Sequence, residues 1–345
     1  MPITTRAGQA GGETAARPAP WQPLRRAARV ALGREGSVRR PVAFLIAAVV
    51  IATLITPDFI RPANLSSLLI DSSFLIVISV GEAFVIMVGS IDLGVESLLA
   101  SFGMILAWLT VFHQVPTGLA LAATLAGAAV VGVVVGALVA KVHIPSFVVT
   151  LGVYWGFRGI ALLMHGGQYI SPDSVSPARP FGFAAIASGT NGVSNLVIIA
   201  FCVVVLGQVV LSLTPFGLWL KSIGSNEQAA RRAGLRADLL KMSVFAISAV
   251  LAALAGIMFT AWQGSIYPDS ATGYSLQAIA AVILGGIPFT GGRGTVVGAA
   301  LGALLIGVIN DLIVLLGLPA LYEYVFVAVV LVVAGLQARG GPLVK

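Results

Sequence analysis

Residues 118–140 read Gly-Leu-Ala-Leu-Ala-Ala-Thr-Leu-Ala-Gly-Ala-Ala-Val-Val-Gly-Val-Val-Val-Gly-Ala-Leu-Val-Ala, a run with no charged residue. A barrel strand would alternate apolar and polar positions, and Val131 to Val135 do not alternate. The run is apolar on every side and matches the roughly 20 residues needed to cross hydrocarbon. In lipid every backbone N–H and C=O must be paired inside the segment, and a helix does that. Residues 118–140 are therefore expected to form a membrane-spanning helix.

Similar runs recur outward from this one in both directions. The expected spans are 41–56, 66–89, 93–112, 118–140, 147–164, 194–213, 242–262, 275–288, 295–313 and 320–336. Val325 to Val333 again lack alternation. The composition agrees: 58% of the 345 residues are hydrophobic and 10% charged, against about 25% charged in a soluble domain. Too little charge is present to coat a water-facing surface, and lipid is the solvent that tolerates this. The expected fold class is all-α, a polytopic membrane helix bundle of about ten transmembrane helices.

The net charge of +7 invites a nucleic-acid reading, but position argues against it. Eight arginines precede residue 41, and most other basic residues lie between apolar runs. With the N-terminus inside and ten crossings, seventeen of the twenty basic residues fall on the inner side and two, Arg61 and Arg179, outside. That asymmetry places both N- and C-termini in the cytoplasm. The expected organisation is a cytoplasmic extension over 1–40, a transmembrane domain over 41–336 with an inner loop at 214–242, and a cytoplasmic tail over 337–345. No signal peptide is expected at the start. Trp21 to Leu32 read either as a short basic interfacial helix or as part of a disordered tail. Cys202, the single cysteine, sits in an apolar run and reads as a small buried hydrophobe.

Nucleotide and enzyme chemistry find little support. A P-loop needs Gly-Lys-Ser/Thr, and none of Lys141, Lys221, Lys241 and Lys345 follows a glycine. Gly291-Gly292-Arg293-Gly294 joins two apolar runs and reads as a tight turn. His113, His143 and His165 lack metal-ligand spacing, and no Gly-x-Ser-x-Gly elbow occurs. No metal, cofactor or catalytic residue is expected in this chain.

The inner loop carries the handle. Asn226 can cap a short helix, Glu227 suits its positive start, Arg231 and Arg232 suit its negative end, and Gly234 can supply a left-handed stop. Ala229, Ala230 and Ala233 give that helix small side chains. Sequence physics leaves two readings open: a helix that docks in a groove of another protein, or a solvated basic loop that sets topology.

Ionisable residues inside spans cost about 2.5–3.5 kcal/mol each at a helix centre, so they should face the bundle interior or water. Asp71, Glu82, Asp92, Glu96 and Arg158 are of this kind. Asp92 is expected to cap a helix starting at Leu93. Residue counting puts Glu82 and Arg158 at similar depths and predicts that they pair. The recurrences Gly294, Gly298, Gly302 and Gly132, Gly136 read as close-packing devices. Pro145 and Gly285-Gly286 read as helix breaks near the inner face. Ser146, Phe147 and Thr150 beside Pro145 are candidates to line a pathway.

Four segments, in order, are similar to the permease subunits of ribose-type ABC importers. They are Gly89-Ser-Ile-Asp92-Leu-Gly-Val-Glu96-Ser97; Ile144-Pro145-Ser146-Phe147-Val-Val-Thr150-Leu-Gly152 continuing to Arg158-Gly159; Gly224-x-Asn226-x-x-Ala229-Ala230-x-x-x-Gly234; and Gly273-Tyr274 through Gly285-Gly286 into Gly291-Gly292-Arg293-Gly294. The likeness spans about residues 41–336. It implies that Asn226, Glu227, Ala229, Ala230, Arg231, Ala233 and Gly234 couple the chain to a cytoplasmic ABC ATPase, which holds the ATP and Mg. It implies a second permease, identical or paralogous, and a periplasmic or lipid-anchored sugar-binding protein. The setting it implies is the bacterial cytoplasmic (inner) membrane, and the cargo a monosaccharide or related small polyol. Glu82, Asp92, Glu96, Ser146, Phe147, Thr150 and Arg158 are the pathway or gating candidates. This chain departs from the family's usual Ile-Asp-Leu-Ser-Val-Gly-Ser in having Gly94 and Glu96. A proton-coupled secondary transporter using Glu82 or Asp92 is the alternative from another class. Branched-chain amino acid, nucleoside and autoinducer permeases are the rivals within the superfamily.

Overall fold

The computed structural model describes residues 38–172, 186–190, 192–319 and 321–338. Most of the N-terminal extension, including 21–32, and Arg179 and the last seven residues lie outside the described residues. Helices account for nearly everything described. They are α1 Arg39–Ile55, α2 Pro62–Met87, α3 Val95–Val111, α4 Thr117–Ala140, α5 Ser146–Met164, α6 Asn195–Leu213, α7 Pro215–Ser225, α8 Glu227–Arg232, α9 Ala237–Gln263, α10 Tyr274–Leu284, α11 Val296–Leu315 and α12 Tyr322–Ala338. A one-turn 3-10 helix, Pro57–Ile60, and a ribbon of two two-residue strands, Gly189–Thr190 with Val193–Ser194, complete them. Each of the ten expected spans coincides with a helix, and the inner loop contributes α7 and α8.

Among the described residues six helices are long and apolar enough to cross a membrane: α2, α4, α5, α6, α9 and α11. α3, α10 and the Tyr322–Val332 part of α12 are apolar but shorter. α2 and α9 form the centre. Along α2 nearly every residue from Phe74 to Met87 is buried, apart from the half-buried Ile76. A helix buried on all faces has to be apolar on all faces, which is what the sequence supplies.

Glycine governs the closest approaches. A side chain at Gly132 would strike the backbone of Phe245 and Ala246, and one at Gly136 that of Met242, so α4 runs antiparallel against α9 with no space between them. Gly298 and Gly302 lie against the carbonyls of Gly285 and Ala281, joining α11 to α10 in the same way. These glycines are packing devices, as their spacing suggested.

The connection between α2 and α3 fixes the interior. Met87, at the end of α2, accepts a hydrogen bond from the Gly292 N–H at 2.9 Å and lies against Gly224. The chain then turns at Gly89 (φ 80°) and doubles back. The Asp92 N–H donates to Glu82 Oε1 at 3.3 Å, five residues up α2 from its end. Ser248, eleven residues into α9, donates to Asp92 Oδ2 at 3.0 Å. Residues 88–94 are thus a re-entrant segment, and α3 begins inside the bundle rather than at its face. The Gly291–Gly294 stretch is a turn with positive φ at all three glycines, as expected, and it braces the end of α2.

Candidate functional site: a polar node and a coupling helix

A re-entrant segment exposes backbone groups that no helix satisfies, and unsatisfied groups cost heavily in an apolar interior. Side chains from three other helices satisfy these. The Ile91 N–H donates to Ser146 Oγ at 3.1 Å and the Leu93 N–H to Thr150 Oγ1 at 3.1 Å, both on α5. Ser275 Oγ, on α10, donates to the Leu93 carbonyl at 3.0 Å and lies 3.3 Å from the Glu96 N–H. Asp92 Oδ1 accepts the Gly94 N–H at 2.9 Å. Asp92 therefore closes a turn two residues ahead of α3, whose first residue is Val95 and whose cap position is Gly94, rather than capping a helix at Leu93.

Glu96 is the centre of the node. Its Oε2 accepts the Gly273 N–H at 2.9 Å and the Ser275 N–H at 3.2 Å, so its carboxylate caps the start of α10, where the helix dipole favours negative charge. Its Oε1 accepts from Arg158 Nη2 at 3.2 Å, and both side chains are buried. Arg158 also donates to the Pro268 carbonyl and stands 5.5 Å over the Tyr154 ring. The expected Glu82–Arg158 pair is thus incorrect. Residue counting matched Glu82 to Arg158 because it assumed a surface turn after α2. The re-entrant segment lifts Glu96 to the depth of Arg158 instead. Glu82 is fully buried, contacts Asp92 rather than an arginine, and its Oε2 has no partner among the described residues.

Of the α5 candidates, Ser146 and Thr150 turn inward to the node, while Phe147 is exposed. Ser248, Ser275 and the Gly273 backbone join the node without having been expected. A lone serine in an apolar run carries no local signal of what it will meet.

At the end of the bundle where α2 stops, α8 forms as its sequence dictates. Asn226 Oδ1 accepts the Ala229 N–H at 2.9 Å, and Gly234 adopts φ 86° just past the C-terminus. Glu227 accepts from Arg231 Nη2 at 2.8 Å and from Lys241 Nζ at 2.7 Å. Arg231 also bonds Asp238, which ties α8 to the start of α9. Ala229, Ala233 and Arg232 are exposed. Ala230 is buried against the chain's own core, so it seats α8 instead of contributing to an outward face. Burial alone would raise the Glu227 carboxyl, but the hydrogen bonds from Lys241 and Arg231 outweigh it and hold it below the usual carboxylate range. A depressed folded-state value contributes stability that is complete above the unfolded value near pH 4.3 and disappears as pH falls through the folded one. Thermal melts of the detergent-solubilised protein between pH 6 and 3 should show an acid-dependent loss that is smaller in Glu227→Gln. Identical pH profiles would remove this ion-pair cluster as a contributor.

Among the described residues no group of three His, Cys, Asp or Glu side chains could hold a metal. The geometry is therefore that of a polar pin inside an apolar bundle, linked through Met87, Gly292 and Gly224 to a small capped helix at one end.

Comparison with known proteins agrees with this architecture. The family described as branched-chain amino acid transport system / permease component matches residues 64–335. The ribose import permease protein of Escherichia coli K12 is 35% identical over 293 residues, 85% of this chain and 90% of that one. The Bacillus subtilis ribose import permease protein is 33% identical over 300 residues, covering 87% and 92%. The autoinducer 2 import system permease protein of Yersinia pestis Pestoides F is 34% identical over 294 residues, covering 83% and 79%. No solved structure matches the chain. An interior built from lipid-soluble helices, a re-entrant polar segment and a match over most of its length make this chain a member of the branched-chain amino acid transport system / permease component family.

Proposed function

We propose that the chain is the membrane subunit of an ATP-binding-cassette importer that carries a monosaccharide or related small polyol into the cytoplasm by alternating access. The observation that carries this reading is α8. It is short, capped at both ends, pinned by Glu227, Arg231 and Lys241 to its own chain, and open on Ala229 and Ala233. Such a helix can take force from a cytoplasmic ATPase that holds ATP and Mg, and Gly224 and Met87 pass displacement on to residues 88–94. Names of relatives favour a sugar: ribose import in two of them and autoinducer 2 in a third. A second permease copy or paralogue and a secreted sugar-binding protein complete the assembly.

Ten crossings with both termini cytoplasmic fit the charge asymmetry. α3 and α10 reach through the membrane because the irregular stretches 88–94 and 264–273 extend them, with their backbone groups bonded to Ser146, Thr150 and Glu96. Glu96 and Arg158 then act as a gate, since separating α3 from α5 has to break their pair, and separating α3 from α10 has to break the Glu96 bonds to Gly273 and Ser275. Ser146, Thr150, Asp92 and Glu82 hold the re-entrant segment, and Phe147 faces outward on α5. The bacterial inner membrane is the location this assembly requires.

Reconstitution in liposomes tests the reading. Uptake of labelled ribose should require the ATPase, the binding protein and ATP, while the chain alone should show no nucleotide turnover. Uptake that persists without the ATPase and collapses on adding a protonophore would instead identify an ion-coupled carrier using Glu82 or Asp92.

A further inference from the structure

At the end of the bundle away from α8, five helices bring together polar side chains that the node does not use. Asp71 lies nine residues into α2, about 14 Å along it at 1.5 Å per residue. The Trp262 indole, on α9, lies beside its carboxylate. Glu323, at the start of α12, accepts from Gln277 on α10 and lies beside Asn310 on α11. Tyr274 is the first residue of α10, and the Gly273 before it lies against the Tyr324 ring, next to Glu323. The Asn310 Oδ1 is enclosed and has no partner among the described residues. A neighbouring carboxylate, Asp311, is bonded to Asn64 at 2.7 Å. None of Asp71, Asp311 and Glu323 has a cationic partner among the described ion pairs.

Asp71 is exposed although α2 is the most buried of the six long apolar helices among the described residues. A charged side chain at that depth cannot face lipid without a cost of about 2.5–3.5 kcal/mol, so this face looks into water. Water-accessible carboxylate oxygens beside aromatic rings are groups that take hydroxyl-rich solutes. The oxygens accept from hydroxyls, and the rings cover the C–H face. Uncompensated negative charge in the same place repels anions.

We propose that Asp71, Trp262, Tyr274, Asn310 and Glu323 form an acceptor-rich vestibule that admits neutral polyhydroxylated solutes and turns back their anionic derivatives. This names the substrate class of the importer reading and rests on it for the direction of travel. Asp71→Asn with Glu323→Gln keeps the shape and removes the charge. Saturation-transfer NMR on the full chain in nanodiscs, with D-ribose and D-ribose 5-phosphate as probes, reads the result. The wild-type protein should bind ribose and not the phosphate. The double variant should bind ribose roughly tenfold more weakly, the loss of about one charge-assisted hydrogen bond, and should gain binding of ribose 5-phosphate. Unaltered preference in a double variant that melts normally overturns the proposal. So does a wild type that binds neither probe while the variant changes the oligomeric mass, because these carboxylates would then lie between two copies. Continued ATPase-dependent uptake in that case leaves the importer reading standing.

Discussion

Glu96→Ala is expected to destabilise the detergent-solubilised protein by about 3–5 kcal/mol, the cost of leaving one partner of a buried ion pair without the other. Three bonds go at once, those to Arg158, the Gly273 N–H and the Ser275 N–H, and the start of α10 loses its cap. The Arg158 guanidinium stays behind among Tyr154, the Pro268 carbonyl and an emptied site. Arg158→Leu in the Glu96→Ala background should recover a large part of the loss, because the stranded charge is gone. Thermal unfolding of the two singles and the double measures the coupling between them. Additive effects would mean that the pair does not hold the node. Glu96→Gln is the milder probe, since it keeps the shape and can keep one acceptor.

Gly224→Val should uncouple the permease from its ATPase. The Gly224 Cα sits against the Met87 carbonyl and the Gly292 N–H, both backbone, so no side chain can swing aside to admit a new one. Relief requires α7 and α8 to lift from the end of α2. Overpacking of this kind costs about 1–3 kcal/mol, and 1.4 kcal/mol is a tenfold change in an equilibrium. Ribose uptake by the reconstituted complex is expected to fall at least about tenfold while ATP hydrolysis continues. Wild-type uptake in this variant would show that displacement of α8 reaches the node by another route.

The helices were legible because hydrocarbon imposes a constraint that each run must satisfy alone. α4 begins and ends within a residue of the uncharged run 118–140. α8 was legible because its determinants are local: Asn226 three residues before the N–H it accepts, Glu227 four before Arg231. The node was not. Glu96 meets Ser275 across 179 residues, and nothing near either residue announces the other. The one clue was Glu96 itself, a charge at the start of an apolar run, and only the doubled-back path after Met87 shows what it meets. Counting residues from a helix end gives depth only when the end lies at the surface.

The glycine contacts carry a mechanical consequence. Where two helices touch backbone to backbone, as α4 does α9 and α10 does α11, there are no rotamers to yield, and each pair behaves as a single stiff plate. Sliding has to occur at seams joined by side chains. The seam between these plates carries the Asp92, Ser248, Ser275 and Glu96 bonds, which can exchange partners as the plates shear.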